Sequence, residues 1–168
     1  YVSGKVLSCS PFLSFSWKSE DKAHEVQTHL IGSYNVDNAL AAVAIGRYFG
    51  VADDAICHVL SSYEPRNNRS QLVEAGGNSY VIDAYNANPT SMAAALENFR
   101  MIDAGHKMVI LGDMKELGEA SLEEHQKVVD MLACCSFDRV ILVGSEFGKT
   151  ANTFEHYNNA DEVYSALS

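Results

Sequence analysis

The sequence predicts an α/β fold: a Rossmann-like, mostly parallel sheet with helices on both faces, preceded by a segment of strands and helices of a different kind. Three patterns carry that prediction. The first thirty residues alternate apolar and polar positions in short runs, the signature of a half-buried antiparallel sheet. From Asn35 the apolar residues recur every three or four positions, the spacing of one helix face. In the second half, apolar β-branched runs alternate with amphipathic stretches. Strands covered on both faces are apolar throughout, so this pattern favours parallel strands joined by helices.

Taken in order, the runs 5–8, 11–17 and 25–31 read as strands. Val36, Ala39, Leu40, Val43 and Ala44, with the Tyr48-Phe49 pair, define a helix from Asn35, and Gly50 stops it because glycine accepts the left-handed backbone of a helix end. A second helix starts near Asp53-Asp54, whose carboxylates suit the positive end of the helix dipole, and runs to about Tyr63. The polar stretch from Glu64 to Ser70 contains Pro65, which disfavours helix in the residue before it. A domain boundary is expected there, giving segments 1–64 and 65–168. Beyond it, the runs 71–75 and 80–84 flank Gly76-Gly77-Asn78-Ser79, a hairpin signal. A helix opened by Asn88-Pro89, a strand over 108–112, a helix through Glu123 to Cys135, a strand over 139–144 and one further helix complete the chain.

With 168 residues, 47% of them apolar, the chain is long enough to bury a real core. A formal charge of -10, with the few basic residues scattered, excludes nonspecific binding to nucleic acid or to an anionic membrane. Cys9, Cys57, Cys134 and Cys135 form no C-x-x-C pair, which fits reduced thiols in a cytoplasmic protein. The six histidines show no ligand spacing, so no metal site is expected. No apolar run approaches the roughly 20 residues of a membrane span. The start at Tyr1 is neither a signal peptide nor an initiator methionine, so an excised piece of a longer protein is expected.

Ligands of open α/β sheets gather beyond the carboxyl ends of strands, where helix N-termini and loop amides converge. Two loops there are unusually polar: Asp83 to Met92, and Gly112 to Glu119. Each can be a ligand site or an ordinary connection, with Asn88 and Pro89 doing no more than capping and starting a helix.

The wording of these loops is distinctive. Asp83-Ala-Tyr-Asn-Ala-Asn-Pro-Thr-Ser-Met92 resembles the D-x-Y-N-A-N-P-x-S-M signature of the Mur ligases that add D-alanyl-D-alanine. Gly112-Asp-Met-Lys-Glu-Leu-Gly-Glu119, followed by His125, resembles their G-D-M-x-E-L-G-x motif and downstream histidine. Upstream, Gly32-Ser-Tyr-Asn35-Val-Asp-Asn38-Ala-Leu-Ala-Ala42 is similar to the G-x-H-N-x-x-N-A-L-A-A stretch of the Mur ligase family, and Arg69 sits where the family has its linker arginine. Relatives that add other amino acids carry a D-Y-A-H version of the first loop, so the two asparagines favour the dipeptide-adding branch. One departure is Tyr34, which stands where the family usually has histidine.

The resemblance implies that residues 1–64 are the tail of a central ATPase domain and 65–168 a Rossmann-like C-terminal domain, short at its end. It implies an ATP-dependent enzyme with magnesium, monomeric, joining D-alanyl-D-alanine to UDP-N-acetylmuramoyl-tripeptide through an acyl phosphate in peptidoglycan synthesis. The phosphate loop and magnesium ligands are expected outside these residues, so the piece alone is expected to be inactive. By the same resemblance Asn35 and Asn38 contact adenine and ribose, Asp83 the ribose hydroxyls, and Arg69 the γ-phosphate, with Tyr85 beside them. Asn35 can instead be a helix opener, and Arg69 a solvated linker charge. Asn86 and Asn88 are expected to shape the cleft beside Asp83 as substrate-binding groups. Asp113, Glu116 and His125 are expected around the dipeptide or acyl phosphate and Lys115 among the catalytic groups, these by motif alone, with a structural hydrogen-bonding role the alternative for His125. A non-catalytic nucleotide- or partner-binding module is the alternative. Gly144-Ser-Glu-Phe-Gly148-Lys149-Thr150 resembles a phosphate-binding loop but is one residue short between its glycines and carries an acid where phosphate would sit, so it is set aside.

Overall fold

Alternation in the first thirty residues builds a three-stranded antiparallel sheet: β1 (Ser3–Cys9), β2 (Phe12–Ser19) and β3 (Lys22–Ile31), in that spatial order. These and all positions below come from a computed structural model, which describes residues 2–19, 22–66 and 68–168. The chain folds as two compact units, Tyr1–Tyr85 with Met101–Asp103 and Asn86–Arg100 with Ala104–Ser168. No helix among the described residues is long and apolar enough to cross a membrane.

In the first unit, Leu13, Phe15 and Trp17 of β2 point to one face and are fully buried with Val26 of β3. Helices α1 (Asn35–Tyr48) and α2 (Asp53–Ser62) cover that face with Ala39, Val43 and Ile56. Each large side chain so enclosed contributes about 1.5–3 kcal/mol. Trp17 stacks on His24, ring centroids 4.4 Å apart, and Asp53 at the start of α2 lies 3.3 Å from the His24 Nε2 and 3.4 Å from the Arg47 Nε. Helix α1 ends as its sequence predicts: Gly50 adopts φ +77°, its N–H donates to the Arg47 carbonyl, and the Val51 N–H donates to that of Gly46.

The hairpin is tighter than the sequence suggests. Strands β4 (Gln71–Ala75) and β5 (Asn78–Ile82) pair from Ala75↔Asn78 onward, so Gly76 and Gly77 alone make the turn. Both have positive φ (+59° and +78°), the two-residue geometry whose twist matches that of the strands, and this draws Asn78 and Ser79 into the ladder. β5 ends at Ile82 and pairs antiparallel with β4 in a sheet of its own, leaving Asp83 and its followers in a loop.

The second unit carries the parallel sheet. Helix α3 (Pro89–Met101), β6 (Met108–Gly112), α4 (Ser121–Ala133), β7 (Arg139–Val143), β8 (Glu155–Tyr157) and α5 (Ala160–Leu167) follow in order, with strands arranged β6-β7-β8. Val109, Val140 and Leu142 form one core with Met92 and Leu96 of α3 and Val128, Val129 and Leu132 of α4. Ile141, on the opposite face of β7, is also fully buried, so this strand is covered on both sides. The short strand β8 is not foreshadowed by the sequence pattern. Its polar residues are held by a two-pronged Arg139–Glu155 pair, 2.7 Å on each arm, and by His156, whose Nε2 lies 2.7 Å from the Gly144 carbonyl oxygen. Asn159 caps α5, accepting from the Glu162 N–H, while the Glu162 carboxylate accepts from the Asn158 N–H.

Candidate functional site

Three stretches distant in sequence meet in the first unit. Gly32 sits at φ +98°, and a Cβ there would come within 2.2 Å of the Tyr34 ring, so only glycine lets that ring fold back over the chain. The Tyr34 hydroxyl lies 2.6 Å from the Ser70 Oγ, and the Ser70 hydroxyl donates to the Asp83 Oδ2 at 3.3 Å. An ionised carboxylate only accepts, so the single Ser70 proton goes to Asp83 and the Tyr34 hydroxyl donates to Ser70. Burial raises the Tyr34 pKa above its ordinary value; the Ser70 hydrogen bond opposes this and the Asp83 charge reinforces it. The phenol therefore remains a donor. Asn68 and Ser70 both have positive φ (+57° and +45°), and the Asn68 carbonyl accepts from the Ala84 N–H at 2.8 Å, which ties the linker to the Asp83 loop.

The asparagines are linked to one another. Tyr34, not Asn35, occupies the cap position of α1, and the Asn35 amide donates back to the Ile31 carbonyl at 2.8 Å while accepting from the Asn38 Nδ2 at 3.1 Å. Asn35 thus orients Asn38, whose side chain is exposed. Arg69 is exposed beside Ser70, its guanidinium carbon 3.6 Å from the centroid of the Tyr85 ring, itself 63% exposed. Such a stack contributes about 0.5–1 kcal/mol at an exposed site.

The remaining predicted residues lie in the second unit. Asn86 is exposed. Asn88, an exposed residue, caps α3, its Oδ1 accepting from the Ser91 N–H at 2.9 Å. The loop after β6 is pinned by Met114, 2% exposed, and by Leu117 against the core, which leaves Lys115 and Glu116 outward, the latter at φ +65°.

Asp113 and His125 sit behind that loop. The two Asp113 carboxylate oxygens accept from the Glu146 and Phe147 N–H groups, each at 3.0 Å. His125 is fully buried, its Nδ1 2.7 Å from the Ser121 carbonyl and its Nε2 accepting from the Met114 N–H at 3.0 Å. Only the neutral imidazole with its proton on Nδ1 satisfies both bonds, so the 3.8 Å approach of Nε2 to Asp113 is not an ion pair. The Gly144–Thr150 stretch is explained by the same geometry. Its backbone amides, which would cradle phosphate in a phosphate-binding loop, already hold the Asp113 carboxylate, and Lys149 pairs with Glu146. The Lys149 ammonium, then the Ser121 hydroxyl, keep the Glu146 carboxyl below its usual range.

Truncating His125→Ala is expected to lower stability by about 2–4 kcal/mol, since it opens a cavity and strands the Met114 N–H. Urea denaturation measures this, and a loss below 1 kcal/mol would contradict the enclosed role (about the net worth of one hydrogen bond). Ser70 and Ser121 are the members that sequence reading passed over, because Tyr34, Asp83 and Glu146 lie far from them in the chain, whereas Gly144 and Glu146 entered it only as part of the stretch that resembles a phosphate-binding loop. Among the described residues, no group of three or more His, Cys, Asp or Glu side chains is placed to hold a metal ion.

Residues 68–167 match the family described as Mur ligase, glutamate ligase domain. The UDP-N-acetylmuramoyl-tripeptide--D-alanyl-D-alanine ligase of Bacillus subtilis is 38% identical over 117 residues, which are 68% of this chain and 26% of that protein. The enzyme of the same name from Treponema pallidum is 37% identical over 122 residues, 73% of this chain and 26% of that protein. The chain therefore spans about a quarter of the length of these curated relatives. Among solved structures, a MurF from Acinetobacter baumannii superposes with a TM-score of 0.85 at 27% identity, covering 96% of this chain and 37% of that one. A MurF ligase from Thermotoga maritima in complex with ADP superposes at 0.81 with 22% identity, covering 99% of this chain and 39% of that one, a likeness of fold.

Proposed function

Because the chain belongs to the Mur ligase family, we propose that it serves as the C-terminal part of an ATP-dependent, cytoplasmic, monomeric ligase joining D-alanyl-D-alanine to UDP-N-acetylmuramoyl-tripeptide. The observation that carries this reading is the gathering in one unit of an outward amide, a carboxylate and an exposed guanidinium: Asn38, Asp83 and Arg69. Those groups fit a nucleoside triphosphate. An amide offers both a donor and an acceptor to a base edge, a carboxylate accepts from ribose hydroxyls, and a guanidinium forks onto phosphate oxygens. Ser70 engages one Asp83 oxygen and leaves the other to a ligand.

The nucleotide, when bound, supplies the phosphoryl group that turns the tripeptide carboxylate into an acyl phosphate. Arg69 holds phosphate charge, and Asn38, oriented by Asn35, reads the base. Lys115 and Glu116, exposed on a loop anchored by Met114 and Leu117, meet the substrates, with the exposed Asn86 and Asn88 on the loop that leads into α3. Asp113 and His125 fix the shape of the Lys115 loop from behind. The described residues offer no donor cluster for magnesium, so no step here is assigned to the metal.

The test is phosphate release by the full-length protein that carries this chain. Release is expected to require ATP, UDP-N-acetylmuramoyl-tripeptide and D-alanyl-D-alanine together. Turnover with a single amino acid in place of the dipeptide would move the protein to another branch of the family. Nucleotide binding with no release under any combination would favour a non-catalytic module.

A further inference from the structure

We propose that Tyr34 is the positioning residue of the nucleotide-recognising cluster, its hydroxyl acting through Ser70 to set the Asp83 carboxylate relative to the Asn35–Asn38 pair. This rests on reading that cluster as the nucleotide site. Tyr34 immediately precedes Asn35, so the residue that begins the amide pair is covalently joined to the one that reaches the linker. Its ring lies over Gly32, which directs the hydroxyl to a residue 36 positions away. Ser70 passes the contact on to Asp83.

The geometry makes Ser70 dependent on Tyr34. Ser70 is 6% exposed and held in the left-handed region, at φ +45°, a backbone state that costs a non-glycine residue about 1–2 kcal/mol. Its hydroxyl has one proton, which goes to Asp83, and one mapped donor, the Tyr34 hydroxyl. With that donor removed, a buried oxygen loses the bond that orients it, and the proton it offers to Asp83 is free to turn elsewhere. Asp83 is exposed, so its carboxylate then samples several rotamers, and a ligand must order it on binding.

A relay of this kind acts on recognition. Tyr34 touches no reacting atom, so its loss shows in nucleotide affinity and leaves the rate of chemistry at saturation nearly unchanged. In the full-length protein, Tyr34→Phe and Ser70→Ala are each expected to weaken binding of a non-hydrolysable ATP analogue, and to raise the KM for ATP, by about 3- to 10-fold, the span of one net hydrogen bond. The kcat is expected to stay within about twofold. The double variant Tyr34→Phe/Ser70→Ala is expected to bind no more weakly than Ser70→Ala alone, because both changes break the same path. Unchanged analogue affinity in Tyr34→Phe, additive losses in the double variant, or a fall in kcat at constant KM would each overturn the proposal. If Tyr34→Phe fails to fold by circular dichroism, Ser70→Ala carries the same measurement. Should phosphate release prove independent of D-alanyl-D-alanine, the ligase reading falls, while analogue affinity still decides on Tyr34; a wild-type protein that binds no analogue overturns it.

Discussion

Gly144→Ala is expected to destabilise the second unit by about 3–5 kcal/mol, the largest loss we anticipate from adding one methyl group. Gly144 follows β7 at φ +116°, a conformation that L side chains rarely adopt, and a Cβ there would lie 2.3 Å from the Asp113 carboxyl carbon and Oδ2. Neither side can yield cheaply. The Gly144 N–H donates to the Tyr157 carbonyl of β8, and the Asp113 carboxylate is held by two backbone amides, with its own N–H donating to the Val143 carbonyl. The backbone strain accounts for about 1–3 kcal/mol. Losing one or both charged hydrogen bonds adds about 1.5–3 kcal/mol apiece, less what the loop recovers by shifting. Urea unfolding followed by far-ultraviolet circular dichroism measures the loss. Adding Asp113→Gly to the variant removes the obstructing carboxylate, so the pair is expected to be less destabilised than the two single changes summed. Full additivity would show that the carboxylate is not what excludes a side chain at 144.

That contact marks the limit of what the sequence reveals. Features set by neighbours a few residues apart are legible: the Gly50 helix stop, the Asn88 cap of α3, the alternation that buries Leu13, Phe15 and Trp17. Each depends on local backbone geometry or on a period of two or 3.6 residues. The hairpin turn is legible too, though two adjacent left-handed glycines shorten it beyond the polar run that announces it. What escapes is pairing over long separations. The three polar residues of β8 carry no strand signal and are fixed by Arg139 and Gly144. Ser70 looks like one more linker residue until Tyr34 and Asp83 are seen on either side of it. For the candidate site, motif wording points to Asn38, Arg69 and Asp83, and the structure brings their stretches together in one unit. The same wording does not tell an outward group such as Lys115 from an inward one such as Asp113, two positions before it, because that depends on which side chain the Glu146 and Phe147 amides capture.

Arg69→Ala in the full-length protein is expected to slow phosphate release by about 100- to 1,000-fold, the usual effect of removing one preorganised donor from developing charge. Stability should hardly change. Arg69 is exposed, and its stack on Tyr85 contributes about 0.5–1 kcal/mol, so the side chain is positioned by a contact too weak to be there for the sake of the fold. What the stack does provide is a direction: a planar guanidinium laid on a ring presents its edge donors in one plane, ready for a bidentate grip on phosphate oxygens. A lysine keeps the charge and loses both the plane and the fork. Arg69→Lys is therefore expected to remain about tenfold or more below the wild type, and Tyr85→Leu, which removes the platform but keeps the arginine, to fall between the two. Steady-state phosphate release at saturating ATP separates these cases. If Arg69→Ala stays within about threefold of wild type, less than one neutral hydrogen bond is worth, then Arg69 is a solvated linker charge and the phosphate contact belongs to another residue.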